Sequence, residues 1–120
     1  MKYLLAIHNN PATYEAFSEQ EREELFGDVD RIMKELTESG ELIGGQALAD
    51  SSTTKTVRVR DGAAVVTDGP FAEAKEQLGG YLIVECDSEE RAVEIAASWP
   101  DARHFAVEVR AIMHTSGAEM

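Results

Sequence analysis

Two residues of this 120-residue chain stand out as candidates for proton chemistry, His8 and Asp68. An imidazole titrates near neutral pH and can accept or return a proton. A carboxylate hydrogen-bonded to one ring nitrogen fixes the tautomer and leaves the other nitrogen to react. His8 closes the apolar run Tyr3-Leu4-Leu5-Ala6-Ile7 and stands before the turn-forming Asn9-Asn10-Pro11. Asp68 stands where the run Ala63-Ala64-Val65-Val66-Thr67 breaks at Gly69-Pro70. Each also has a purely structural reading. An Asp before Gly-Pro is a turn former whose carboxylate accepts from nearby amides, and a strand-end His can be satisfied by backbone. Glu108 and Arg110 are spaced to share one strand face, where they could grip a small polar ligand or merely pair as ions. Pro70 and Phe71, next to Asp68, join them as ligand-binding candidates. His104, at the expected entry to the last strand, and His114, near the C-terminus, are weaker candidates.

Other chemistries lack their signatures. Cys86 is the single cysteine, so no intrachain disulfide and no cysteine metal site is expected. It reads as a small buried hydrophobe, and one free thiol suits a reducing cytoplasm. No HExxH, CxxC or nucleophile elbow occurs. Gly79-Gly80 is followed by neither Lys-Ser/Thr nor a helix start, so it marks a bulge or a close backbone approach rather than a phosphate loop. No metal and no cofactor is therefore expected.

Composition bounds the rest. Apolar residues make up 43% of the chain, enough for one core. Eleven basic residues against 23 acidic ones give a net charge of −12, which repels phosphate backbones and anionic membranes. No direct nucleic-acid or membrane contact is expected. The N-terminal apolar run stops at His8, too short for a signal peptide.

Periodicity supplies the elements. Tyr3 to His8 reads as a strand. Ser18-Glu19-Gln20-Glu21 fits a capping box, and Leu25, Phe26, Val29, Ile32, Met33 and Leu36 recur at helical spacing up to Gly40, a C′ glycine. Glu41 to Ala49 reads as a second strand. Thr56-Val57-Arg58-Val59-Arg60, Asp61-Gly62 and Ala63 to Thr67 form a hairpin with a type I′ turn. Gly69, before proline, is expected to be extended, and Ala72 to Gln77 to make a turn or two of helix. Tyr81 to Cys86 is the strongest strand. A helix capped by Ser88 ends at Pro100, and a last strand runs from about His104 to Ile112. The order β-α-β, hairpin, β-α-β describes an α+β, ferredoxin-like antiparallel sheet with helices on one face. The other face is mixed, with Leu4, Ala6, His8, Glu108 and Arg110, and a two-fold dimer would cover it economically. One domain, residues 1–113, is expected, with residues 114–120 as a flexible tail.

The stretch Val66-Thr67-Asp68-Gly69-Pro70-Phe71-Ala72-Glu73-Ala74-Lys75-Glu76-Gln77-Leu78-Gly79-Gly80-Tyr81 resembles the signature of the DGPF branch of the YCII-related proteins. Met1 to Leu5, Thr56 to Arg60 and Ala106 to Arg110 are similar to that family too. The resemblance implies a dimeric α+β barrel. Its wider superfamily holds isomerases, monooxygenases and ligand-sensing domains. A few YCII-type enzymes act on chlorinated aromatic diols through a His–Asp pair, with a His in the first helix region; residues 15 to 40 here contain none. DGPF-branch genes often neighbour those of extracytoplasmic-function sigma factors. Two functional expectations follow. The first is a homodimer binding a small molecule in a cleft at the sheet face, a cofactor-free lyase or isomerase with His8 as base and Asp68 as its partner. The second is a non-catalytic ligand-sensing or protein-interaction module tied to sigma-factor regulation.

Overall fold

The computed structural model describes residues 1–72 and 74–117. Strand β1 (Lys2–Asn9) leads through a short helix α1 (Pro11–Glu15) to the long helix α2 (Glu19–Ser39) and strand β2 (Leu42–Ala47). A 3-10 turn (Ser51–Thr53) precedes the hairpin strands β3 (Lys55–Arg60) and β4 (Ala63–Asp68). Strand β5 (Gln77–Glu85), helix α3 (Glu89–Ser98), the one-turn helix α4 (Asp101–His104) and strand β6 (Ala106–Ala111) follow. Four strands form one antiparallel sheet in the order β2-β5-β1-β6, while β3 and β4 make a sheet of their own. With the hairpin set aside, this is the interleaved βαβ pair of a ferredoxin-like fold.

Local chemistry explains the boundaries. The Ser18 hydroxyl accepts from Glu21 N at 3.1 Å while the Glu21 carboxylate accepts from Ser18 N at 3.1 Å, a complete capping box. Gly40 ends α2 with φ +79°, a conformation open to glycine at little cost. Asp61 (φ 51°) and Gly62 (φ 77°) supply the two positive φ angles of the hairpin turn. Ser88 caps α3 by accepting from Arg91 N, and Trp99 turns extended ahead of Pro100.

The core lies on one face of the sheet. Tyr3, Leu5 and Ile7 of β1, Leu82 and Val84 of β5, Ile32 and Leu36 of α2, Ala92, Ile95 and Ala96 of α3, and Cys86 and Trp99 form one buried cluster, joined by the half-buried Val107 and Val109 of β6. A two-ended ion pair ties the helix layer to the sheet edge. Arg91 Nε and Nη2 donate to Glu41 Oε2 and Oε1, each at 2.9 Å.

Several expectations need correction. Asn9-Asn10-Pro11 is more than a turn: the Asn10 side chain accepts from Ala12 N and Pro11 opens α1. His104 belongs to α4, and the last strand begins at Ala106. Gly69 is not extended but has φ +93°, so the freedom of glycine outweighs the preference that Pro70 imposes. The described residues of 70–76 form bends and no helix; Glu73, within the stretch expected to be helical, lies outside the described residues. The expected tail falls partly outside them as well, at 118–120. Among the described residues, no helix is long and apolar enough to cross a membrane.

The Arg91 hydrogen bonds hold the Glu41 carboxyl below its ordinary value of 4.5. A depressed folded-state pKa adds stability that is present above that ordinary value and is lost as pH falls through the folded one. Glu41→Gln should cost about 1 kcal/mol at neutral pH and flatten the acid limb below pH 4.5. Urea unfolding of both proteins across that range checks it, and parallel curves would refute it.

Candidate functional site

The C-terminal end of β1 places two polar side chains on opposite faces of the sheet. β5 carries one extra residue there, since Ile7 pairs with Gly80 and His8 with Leu78. The extra residue is Gly79, a β-bulge. A Cβ on Gly79 would sit 2.5 Å from the Asn9 side chain, and one on Gly80 would sit 2.6 Å from the Gln46 carbonyl. Close backbone approach, as the sequence implied, requires glycine at position 80, while Gly79 makes room for the Asn9 side chain. The alternation of β1 is preserved, so His8 joins Leu4 and Ala6 on the face without helices while Asn9 faces α2 and α4.

On the helix-free face, the His8 Nε2–H donates to Glu108 Oε1 at 2.5 Å. The two residues are diagonal neighbours across β1 and β6, because Ala6 pairs with Glu108 and His8 with Ala106. Glu108 is 71% exposed at its side chain and His8 27%. Arg110 stands in the next row, beside Leu4. Asp68 lies at the base of the hairpin, where Lys55 Nζ donates to its carboxylate. Within the chain, His8 and Asp68 thus engage different partners. Gly69 and Pro70 follow at the same base, tied by Gly69 N to the Thr54 carbonyl and by the Thr56 hydroxyl to the Gly69 carbonyl. Phe71 is 76% exposed, with the Arg58 guanidinium 4.9 Å from its ring centroid.

On the opposite face the chain builds a cluster that the sequence does not announce. Asp101, the first residue of α4, is buried. Its Oδ2 accepts from the Tyr14 hydroxyl at 2.7 Å and from Asn9 Nδ2 at 3.1 Å. Tyr14 is held edge-on by Phe17 and Phe105, at centroid distances of 5.2 and 5.4 Å, and His104 packs on Phe17 at 5.1 Å. His104 is therefore part of an aromatic wall. A cavity of about 320 Å³ lies between α2 and the sheet and reaches Asn9 and Asp101. The sequence places Asn9 in a turn and singles out no role for Asp101. Nothing in the residue pattern marks that carboxylate as buried, because its burial arises from α1 and α4 meeting. Among the described residues, no cluster of three or more His, Cys, Asp or Glu is placed to hold a metal.

The YCII-related domain model matches residues 1–116 of the chain. The chain belongs to the YCII-related family. An uncharacterized relative, protein R00369 of Rhizobium meliloti (strain 1021), is 31% identical over 102 residues, covering 85% of this chain and 82% of that protein. The YCII-related domain thus spans nearly the whole of this chain, and the antiparallel α+β sheet is consistent with it.

Burial, followed by the hydrogen bond to Asp101 and its negative charge, pushes the Tyr14 phenol well above its ordinary 10.0. A raised folded-state pKa means that Tyr14 contributes stability present below pH 10 and lost as pH rises through the folded value. Tyr14→Phe should cost about 1–3 kcal/mol near neutral pH, because Asp101 loses a donor in a buried setting. The variant should also lose stability less steeply than wild type above pH 10. Urea unfolding on both sides of pH 10 checks the claim, and an unchanged alkaline slope would refute it.

Proposed function

We propose that two copies of this YCII-related chain close over their helix-free sheet faces, and that the enclosed cleft binds a small organic molecule on which His8 performs acid–base chemistry without a cofactor. The hydrogen bond between His8 and Glu108 carries this reading. With Nε2–H donated to the Glu108 carboxylate, Nδ1 is left as the acceptor for a substrate proton. Arg110, one row beyond Glu108, supplies a fixed positive charge for an anionic group of the ligand. The reaction class is a proton transfer next to a carbonyl, in an isomerase or lyase. Glu108 takes the orienting role within the protomer. Asp68, Pro70 and Phe71, the DGPF-like residues at the hairpin base, line the rim of the cleft.

Exposed apolar surface supports a second copy as the cover. Val57, Val59 and Val66 share one face of the hairpin by cross-strand pairing and are 60%, 66% and 58% exposed. A free two-stranded hairpin is marginal in water. The radius of gyration is 16.3 Å, against about 13.6 Å for a compact chain of this length, so the hairpin reaches outward. Strand β3 carries Lys55, Arg58 and Arg60 within six residues, while the chain as a whole is at −12. That charge arrangement favours contact between the hairpin of one copy and the acidic body of another.

Light scattering on the purified protein should give twice 13.1 kDa, and Val57→Asp/Val66→Asp should give the monomer. Incubation in D2O with a panel of phenols and lactones, followed by NMR, should reveal a compound whose exchangeable carbon-bound proton is lost. His8→Ala should slow that exchange by about 100-fold or more, and Glu108→Gln by less. Equal exchange by wild type and His8→Ala would remove His8 from the chemistry.

A further inference from the structure

The cavity on the helix side of the sheet belongs to none of the chemistry assigned to His8. Its walls are mostly apolar, from Ile7, Val29, Met33, Leu82 and Trp99, and one end reaches Asp101. Gly45 lines the β2 side, where a Cβ would lie 2.7 Å from Leu82 Cδ2. Asp101 is 7% exposed, yet both of its side-chain partners are neutral donors, the Tyr14 hydroxyl and the Asn9 amide, and both address Oδ2. Arg103, two residues on, turns away and donates to Asp28 at 2.9 Å. Among the described residues, no Lys, Arg or His nitrogen lies within 4.0 Å of the Asp101 carboxylate. Buried charges are ordinarily compensated by a counter-charge. Here the residue itself lines an apolar cavity large enough for a small molecule.

We infer that this cavity binds a small organic ammonium, an aryl- or alkylamine, with its apolar body between α2 and the sheet and its charged nitrogen on Asp101. Two neutral donors fix the carboxylate without cancelling its charge, so a cation gains from it what a neutral isostere does not. An organic anion is excluded by the same charge. Amine size is limited by Met33 and Trp99 at the apolar walls. The inference stands on the opposite side of the sheet from His8 and does not require a dimer or any turnover.

Trp99 is the chain's single tryptophan and lines the cavity, so its fluorescence reports occupancy directly. Wild-type protein would be titrated with 2-phenylethylamine at constant ionic strength, with 2-phenylethanol as the neutral isostere and phenylacetate as the anion. The expected result is a saturable change with the amine, at least tenfold tighter than with the alcohol, and no change with the anion. Asp101→Asn should bring amine and alcohol to equal affinity. Val29→Phe, which fills the apolar wall and leaves Asp101 in place, should abolish binding of both while far-UV circular dichroism stays native. Amine binding no tighter than alcohol binding, or amine binding undiminished in Val29→Phe, would overturn the inference. If Asp101→Asn fails to fold, the amine-to-alcohol ratio in wild type and the Val29→Phe titration decide it. His8→Ala should leave the titration unchanged, which separates this site from the acid–base reading.

Discussion

Hydrogen bonding along both edges of β1 is the constraint on which the rest of the structure depends. The strand pairs antiparallel with β5 on one side and β6 on the other, so every backbone donor and acceptor in its middle is committed to the ladder. A strand fixed in this way has one remaining variable, the identity of its alternating side chains. Tyr3, Leu5 and Ile7 go to the core, and Leu4, Ala6 and His8 go to the bare face. Slipping the register by one residue would bury His8 and expose Leu5. The hydrophobic core therefore positions His8, although His8 is no part of it.

The same strand shows how a small backbone irregularity serves two sites. One additional residue in β5 opposite the end of β1 would ordinarily disturb the pairing. Because that residue is Gly79, the Asn9 side chain fits against the bulged backbone and reaches Asp101. One residue earlier, His8 reaches Glu108 on the far face. Two polar arrangements with separate surroundings are thus built a single residue apart, insulated by the thickness of the sheet. On the helix side the carboxylate is buried and held by neutral donors. On the bare side the Glu108 carboxylate faces water.

The hairpin answers a different constraint. Its backbone is satisfied internally and its turn is well specified by Asp61-Gly62, yet Val57, Val59 and Val66 stay exposed among the described residues of the chain. Local chemistry can complete a hairpin without completing its burial. An apolar ribbon of this kind, basic along β3 and set on an acidic body, carries its own preference for what it touches.

Much of the fold was legible in the residues because the relevant signals are local. Ser18 with Glu21, Gly40, Asp61-Gly62 and Ser88 each specify a terminus or turn through contacts within a few residues, and the spacing of Ile32 and Leu36 identifies the buried side of α2. The polar candidates on the sheet face were also visible, since alternation places His8, Glu108 and Arg110 on one side. Their pairing was not. Whether His8 meets Glu108 or Asp68 depends on which strand lies beside β1, and that follows from packing between residues a hundred positions apart. Asp101 shows the limit most plainly. Its sequence surroundings, Trp99-Pro100-Asp101-Ala102, describe a helix end and nothing more. Burial is a property of what surrounds a residue, so only the meeting of α1, α4 and the end of β1 could make that carboxylate an enclosed charge.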